Sequence, residues 1–344
     1  MGHPPTLTAR PPSRSRLRAA LLLEVVAALA LLALVVVLEP GRVGIFPGLP
    51  GRTAGPSEPG WVLGAPAPIA LTEVAAAAHD PRIWVVGGMD ADGRATDRVL
   101  IYDPATDSWA DGPPLPETVH HAALISDGDF LFLIGGYVGG GSGSPTDAVW
   151  RLEFDESWVP DRPLLEARAA GAAAWTGQGQ VMYGGGVGPD GVSSDVFVQE
   201  DHGWRALTSL SAPREHLAAT SLGDGSVTFL GGRVGGLDGN LGTVDLVSAE
   251  GVVGRTEDLT TARGGIAAFS TTNLGDCVVG GEGPEGTFGA VECIGSIHRT
   301  TLPGLTVPRH GLGAVVVDRR AYALLGGRQP GLTVSDVLEV LDLR

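Results

Sequence analysis

Residues 309–327 read RHGLGAVVVDRRAYALLGG. The segment opens on an arginine, runs through small and apolar residues to Val317, turns at Asp318-Arg319-Arg320, and returns through Ala321–Leu325 to a Gly-Gly pair. Two short apolar runs around a polar turn predict an antiparallel hairpin. A loop at Arg328–Ser335 and a third strand over Asp336–Leu341 follow. The closing pair is one of six: Gly87-Gly88, Gly135-Gly136, Gly185-Gly186, Gly231-Gly232, Gly280-Gly281 and Gly326-Gly327. They stand 48, 50, 46, 49 and 46 residues apart, and a fixed period of that size predicts an array of one small β unit.

The first strand of each unit is rich in Ala and Gly, as at Ala75–Ala78, Ala122-Ala123, Ala169–Ala174, Ala218-Ala219 and Ala267-Ala268. Small residues belong where space is tightest, which in a radial array is nearest the axis. A Trp marks the fourth strand at Trp109, Trp158 and Trp204. The last unit stops at Arg344 with only three strands, but Gly60-Trp61-Val62-Leu63 followed by Pro66-Ala67-Pro68 matches Ser108-Trp109-Ala110 followed by Pro113-Pro114-Leu115-Pro116. The segment before the first unit is therefore expected to complete the last one and close a ring, which removes free sheet edges.

The Arg-x-x-apolar-x-Ala start, the Gly pair, the third-strand acids Asp97, Asp147, Asp195 and Asp336, the Tyr102-Asp103-Pro104 piece and the Trp together resemble the kelch-repeat family. The resemblance covers residues 61–344 and implies an all-β, six-bladed β-propeller. It says little about function, because one propeller scaffold hosts many activities.

Counting 17 residues back from each Gly pair reaches Arg168, Arg214, Arg263 and Arg309 in units three to six, and Thr118 in unit two; Leu71 is the match in unit one, whose turn is shorter. Strand starts and second-strand ends share one rim of such a meander, so four guanidinium groups are expected around one mouth of the central channel. Loops Tyr137–Asp147, Arg233–Gly242 and Arg328–Ser335 share that rim, and His216 and His310 follow Arg214 and Arg309 closely. Arg168, Arg214, Arg263, Arg309, His216, His310, Tyr137, Arg233 and Arg328 are thus the candidate ligand-binding residues. An arginine fork pairs bidentately with carboxylate or phosphate. Either these arginines clamp an anion, or each bonds a neighbouring loop or an acid of the adjacent blade.

Metal and cofactor sites are not expected. His120 and His121, His216, and His310 sit in three separate units with no evident carboxylate to complete a set. Asp90-Ala91-Asp92-Gly93 with Asp97 lacks the closing Glu of a calcium loop and reads as a solvated turn. Copper chemistry of the galactose oxidase kind, also found on a kelch propeller, needs Tyr, His and a crosslinking Cys that this composition does not supply. With no Lys there is no P-loop, and neither HExxH nor Gly-x-Ser-x-Gly occurs. The two cysteines, Cys277 and Cys293, exclude an all-Cys zinc site and leave a cross-strand disulfide or two buried thiols.

The N-terminus reads differently. Leu17–Leu38 is apolar apart from Arg18 and Glu24, about long enough to span a bilayer. Arg10, Arg14, Arg16 and Arg18 precede it, which predicts a cytoplasmic tail at 1–16, a single-pass signal-anchor helix at 17–38 and an extracellular propeller. The run is longer than a cleaved signal's apolar region and ends in a poor cleavage site. Residues 39–60 hold 11 Gly or Pro among 22 and read as a stalk. Residues 61–344 keep 17 Arg and 36 acids, a balance of −19, which disfavours nucleic acid. The leading reading is a membrane-anchored extracytoplasmic binding module for a protein partner or an anionic carbohydrate. The alternative is an enzyme resembling a sialic-acid mutarotase, with Glu215-His216 and His310 as proton carriers.

Overall fold

The computed structural model describes residues 60–344 except 140–142, 155–156 and 296. The expected tail, membrane span and stalk, apart from Gly60, lie outside the described residues. Among the described residues no helix is long and apolar enough to cross a membrane.

Six four-stranded antiparallel sheets make up the body of this all-β structure. The first is a simple meander of Ala75–His79, Arg82–Val86, Val99–Asp103 and Ser108–Asp111. The small-residue strands Ala75–His79, Ala123–Ser126, Ala172–Trp175, Ala218–Thr220, Ala267–Thr271 and Gly313–Val317 are innermost. Each touches the inner strands of the sheets on either side, and the sixth touches the first, so the sheets close a ring around a channel. Between sheets, the second and third strands bury Ile, Leu, Val and aromatic side chains almost completely.

Closure of the sixth sheet comes from the start of the described chain. Val62 and Leu63 pair with Val340 and Glu339 on the outer edge of Leu338–Asp342. Trp61 is buried, and its indole N–H donates to the Pro303 carbonyl at 2.7 Å. The other fourth-strand tryptophans repeat this reach into the preceding sheet: Trp109 to Ala65, Trp158 to Pro113 and Trp204 to Arg162.

The Gly pairs mark contacts between successive sheets. Gly280 has φ 68°, and a Cβ there would meet the Arg309 carbonyl oxygen at 2.4 Å, while the next N–H, of Gly281, donates to that same carbonyl. Only a residue without a side chain fits both demands easily. The sixth pair is displaced by one: Gly326 N–H donates to the Leu71 carbonyl, so Leu325 stands where the other units place their first glycine. In the second unit Val119, not Thr118, takes the place of the arginine, because its carbonyl receives the Gly88 N–H.

The inner strands begin later than the sequence pattern suggested. Gly313, not Arg309, starts the sixth, because the chain first bends at six equivalent residues with left-handed φ: Glu73 (52°), His121 (54°), Ala170 (54°), His216 (53°), Gly265 (64°) and Gly311 (55°). Their backbones bond around the channel. The N–H of His121 donates to Glu73, Ala170 to His121, His216 to Ala170, Gly265 to His216 and Gly311 to Gly265, at 2.7–3.1 Å, and Val74 N–H reaches the Gly311 carbonyl at 3.4 Å. This girdle of peptide groups links all six sheets at one mouth.

Cys277 and Cys293 face each other on adjacent strands of the fifth sheet and are joined in a disulfide, fully buried. The bond closes a loop of 16 residues. Replacing both cysteines with Ala is expected to lower unfolding free energy by about 2–4 kcal/mol, most of it from the freer unfolded chain. Urea denaturation of oxidised wild type against the double variant measures it; equal midpoints would show that the bond contributes nothing.

Candidate functional site

The arginines expected at the channel mouth lie elsewhere. Arg214, Arg263 and Arg309 are buried inside their own sheets and pair with third-strand acids: Arg214 with Asp245 at 2.7 Å, Arg263 with Glu292 at 3.0 Å and Arg309 with Glu339 at 2.9 Å. Each also donates to backbone carbonyls, such as Thr243, Ala290 and Val337. Burial pushes the Arg309 guanidinium down to about 10, against the pull of Glu339. In the third sheet Phe197 occupies the acid's position. Arg168 instead lies over that ring and bonds Asp195, Glu166 and Ser193. None of the four presents a free guanidinium to a ligand, so the clamp is replaced by a structural role. The spacing from arginine to acid, 31, 29 and 30 residues, was the available signal.

The mouth is built from other residues. The girdle positions turn the side chains of Glu73, His121 and His216 towards one another, from the first, second and fourth sheets. His121 Nε2 lies 3.2 Å from Glu73 Oε2 and 3.0 Å from His216 Nε2. This overturns the expectation that separate units keep the histidines apart and that no carboxylate joins them. Sequence reading missed Glu73 because its unit has Leu71 in place of the arginine that anchored the comparison of repeats.

The residues one position earlier, and those just after the Gly pairs, surround this centre. Bridges pair Glu215 with Arg233, Gly264 with Glu282, His310 with Gly327 and, in a short strand pair, His120 with Tyr137. From Glu73 the contacts run through seven ionisable side chains and return. Glu73 Oε1 meets His310 Nδ1 at 3.3 Å, His310 faces Glu282 at 3.7 Å, and Arg233 donates to Glu282 at 2.6 Å. Arg233 Nε faces Glu215 at 3.5 Å, Glu215 faces His216 Nδ1 at 3.6 Å, and His216 and His121 complete the circuit. His120 contacts His121 through their Nδ1 atoms, and Tyr137 stacks on His120 with centroids 5.2 Å apart. Arg328 is exposed at the same rim, outside this circuit.

The electrostatics follow from burial and neighbours. Burial raises Glu73, but the neighbouring imidazoles of His121, His310 and His216 outweigh it and hold the carboxyl well below its usual range. Burial pushes His121 down to about 3 against the attraction of Glu73. Burial also lowers His310, but Glu73 and Glu282 more than offset it, and the net shift is upward. The channel holds a cavity of about 160 Å³, lined by Glu73, His121 and His216 together with mostly Ala, Gly and Leu residues.

A profile of the kelch motif matches residues 70–116, which is the first sheet together with the approach to the second girdle residue. The chain carries a kelch motif and resembles kelch-repeat proteins. The kelch-like protein terF of Aspergillus terreus is 27% identical over 294 residues, 81% of this chain and 54% of that protein. Beta-scruin of Limulus polyphemus is 30% identical over 154 residues, covering 41% of this chain and 17% of its own length. The chain thus spans about half of the first relative and a sixth of the second. The solved structure of YjhT superimposes with a TM-score of 0.67 over 82% of this chain and 100% of its own, at 12% identity, a likeness of fold.

Within that fold, Asp90 Oδ1 accepts the N–H groups of Asp92 and Arg94, as a solvated turn does.

Proposed function

We propose that this chain is a six-bladed kelch propeller, each four-stranded sheet one blade, that works as a membrane-anchored, extracytoplasmic binding module for a protein partner. The carrying observation is the convergence of the girdle, the seven-membered ionisable circuit and the loops after the Gly pairs on a single rim. A rigid scaffold that gathers loops at one end is where recognition sits. Leu332 and Val234 stand exposed on two of those loops, at 51% and 43%, and Arg328 is exposed on the same loop as Leu332. An apolar residue flanked by charge suits a protein surface.

Size favours a protein partner over an anionic carbohydrate. Small-molecule sites typically enclose about 300–1,000 Å³, and the channel offers about 160 Å³. The arginine clamp that would have held a carboxylate is also absent from the mouth. One observation keeps an enzyme of the mutarotase kind as a second reading: Glu73, His121 and His310 lie in contact, as proton transfer requires.

The anchor rests on the apolar run at 17–38 with its arginine flank, and the buried disulfide suits an oxidising compartment. Protease added to intact cells is expected to remove the propeller and spare the tail; full protection would refute this topology. Partner capture from such cells tests the binding face. Leu332→Asp and Arg328→Glu should abolish capture, while Phe154→Asp, on a third-to-fourth-strand turn at the far end, should not. Equal capture by all three variants would place recognition elsewhere. Turnover of an anionic sugar by the purified chain, with no partner captured, would establish the second reading.

A further inference from the structure

We propose that Glu73, His121 and His216 form a binding site for one divalent late first-row transition ion, zinc being the most available, with an open coordination position facing the channel. The inference stands on donor geometry and holds whether or not a partner docks on the rim.

Two of the three donor separations already match a shared ion. Two ligands about 2.0–2.1 Å from zinc at a tetrahedral angle lie about 3.3 Å apart. Here the His121 Nε2 distances to His216 Nε2 and Glu73 Oε2 are 3.0 and 3.2 Å, and all three atoms fall within 4.8 Å of one another. Two imidazoles and one carboxylate are a donor set for borderline divalent metals, and three protein ligands leave a position for water or an anionic group.

Protons alone satisfy this arrangement poorly. His121 Nε2 meets two partners, and one N–H can serve only one of them. If His121 gives that proton to Glu73, His216 Nε2 either faces the same nitrogen as an acceptor without a proton of its own or points a second N–H at it; if neither ring carries a proton there, lone pairs face one another. A cation between the three atoms accepts all of their lone pairs at once. The surroundings fit the usual support of metal ligands, in which the second ring nitrogen faces a carboxylate or another polar group. His216 Nδ1 has no hydrogen bond and faces Glu215 at 3.6 Å; His121 Nδ1 faces His120; Glu73 Oε1 faces His310 at 3.3 Å. His310, 1% exposed, also lacks a hydrogen bond at Nδ1.

Backbone strain points the same way. The equivalent girdle positions Gly265 and Gly311 show what the left-handed conformation prefers. Glu73, His121 and His216 adopt it with long side chains, at about 1–2 kcal/mol each, and such strain gathers at functional sites.

The test uses the full untagged chain, stripped with a chelator and titrated with Zn²⁺ and, as a spectroscopic probe, Co²⁺. One equivalent should bind with Kd below about 1 μM, and Co²⁺ should give visible bands of nitrogen and oxygen coordination. Glu73→Gln and His216→Ala should each weaken binding at least about 100-fold, and Glu215→Gln about 10- to 100-fold. Should the variants fail to fold, wild type decides alone: Zn²⁺ should shield His121 and His216 from diethyl pyrocarbonate and leave the exposed His202 and His298 reactive. Binding only in the millimolar range, retention of the equivalent in folded His216→Ala, or equal labelling with and without Zn²⁺ would overturn the proposal.

Discussion

Removing Gly60–Leu63, or replacing Trp61 with Ala, is expected to cost about 3–5 kcal/mol of stability. Domains of this kind hold a margin of only about 5–15 kcal/mol, so much of the native population is at stake. Trp61 is the contact between the two ends of the ring. It belongs to one buried cluster with Phe269, Cys277 and Cys293 of the fifth sheet, Ala323 and Leu341 of the sixth, and Leu305 and Leu312 on the segments beside them. Its indole N–H would leave the Pro303 carbonyl without its partner. Loss of the Val62 and Leu63 pairing also bares the outer edge of Leu338–Asp342, a template for pairing with another chain. Urea denaturation and light scattering measure the two consequences. A chain beginning at Ala65 that melts with the intact protein, without aggregating, would show that the ring does not depend on this strand.

Much of the architecture was readable because each repeated residue answers a local demand. Gly280 must let the Arg309 carbonyl approach, so a glycine returns with every unit but the last, where Leu325 accepts φ 57°. Inner strands crowd the axis and so read as Ala and Gly. The tryptophans of outer strands reach the preceding sheet, so Trp61 could be matched to Trp109 across the ends of the chain. The mouth obeyed a different logic. Its donors occupy one structural column, Glu73, His121, Ala170, His216, Gly265 and Gly311, whose identities do not repeat. A centre assembled from separate turns of a ring has no fixed sequence spacing. The visible clue was an ionisable residue inside an otherwise small-residue strand, as in His120-His121 and Glu215-His216. Conversely, the role of the conspicuous arginine column stayed open between clamp and structural bond because its acids lie about 30 residues downstream, on the third strand of the same sheet.

That column supplies the second large effect. Arg309→Ala is expected to destabilise the propeller by about 3–5 kcal/mol, because it strands Glu339 as an unpaired buried carboxylate. Both side chains are wholly buried. Glu339 would keep only the Thr306 N–H and hydroxyl as donors, and the Val337 carbonyl would lose its 2.7 Å bond. The ion pair itself is replaceable, and the chain carries its own precedent. In the first sheet the same two positions hold Leu71 and Leu100, both buried, and in the second they hold Val119 and Trp150. Arg309→Leu combined with Glu339→Leu should therefore recover most of the stability that Arg309→Ala loses, as well-packed apolar replacements of buried ion pairs do. Chemical denaturation of wild type, the single variant and the double variant gives the cycle. A single variant within about 1 kcal/mol of wild type would mean that water reaches Glu339. A double variant no better than the single would mean that the backbone carbonyls served by Arg309, rather than its charge, hold this corner of the sheet.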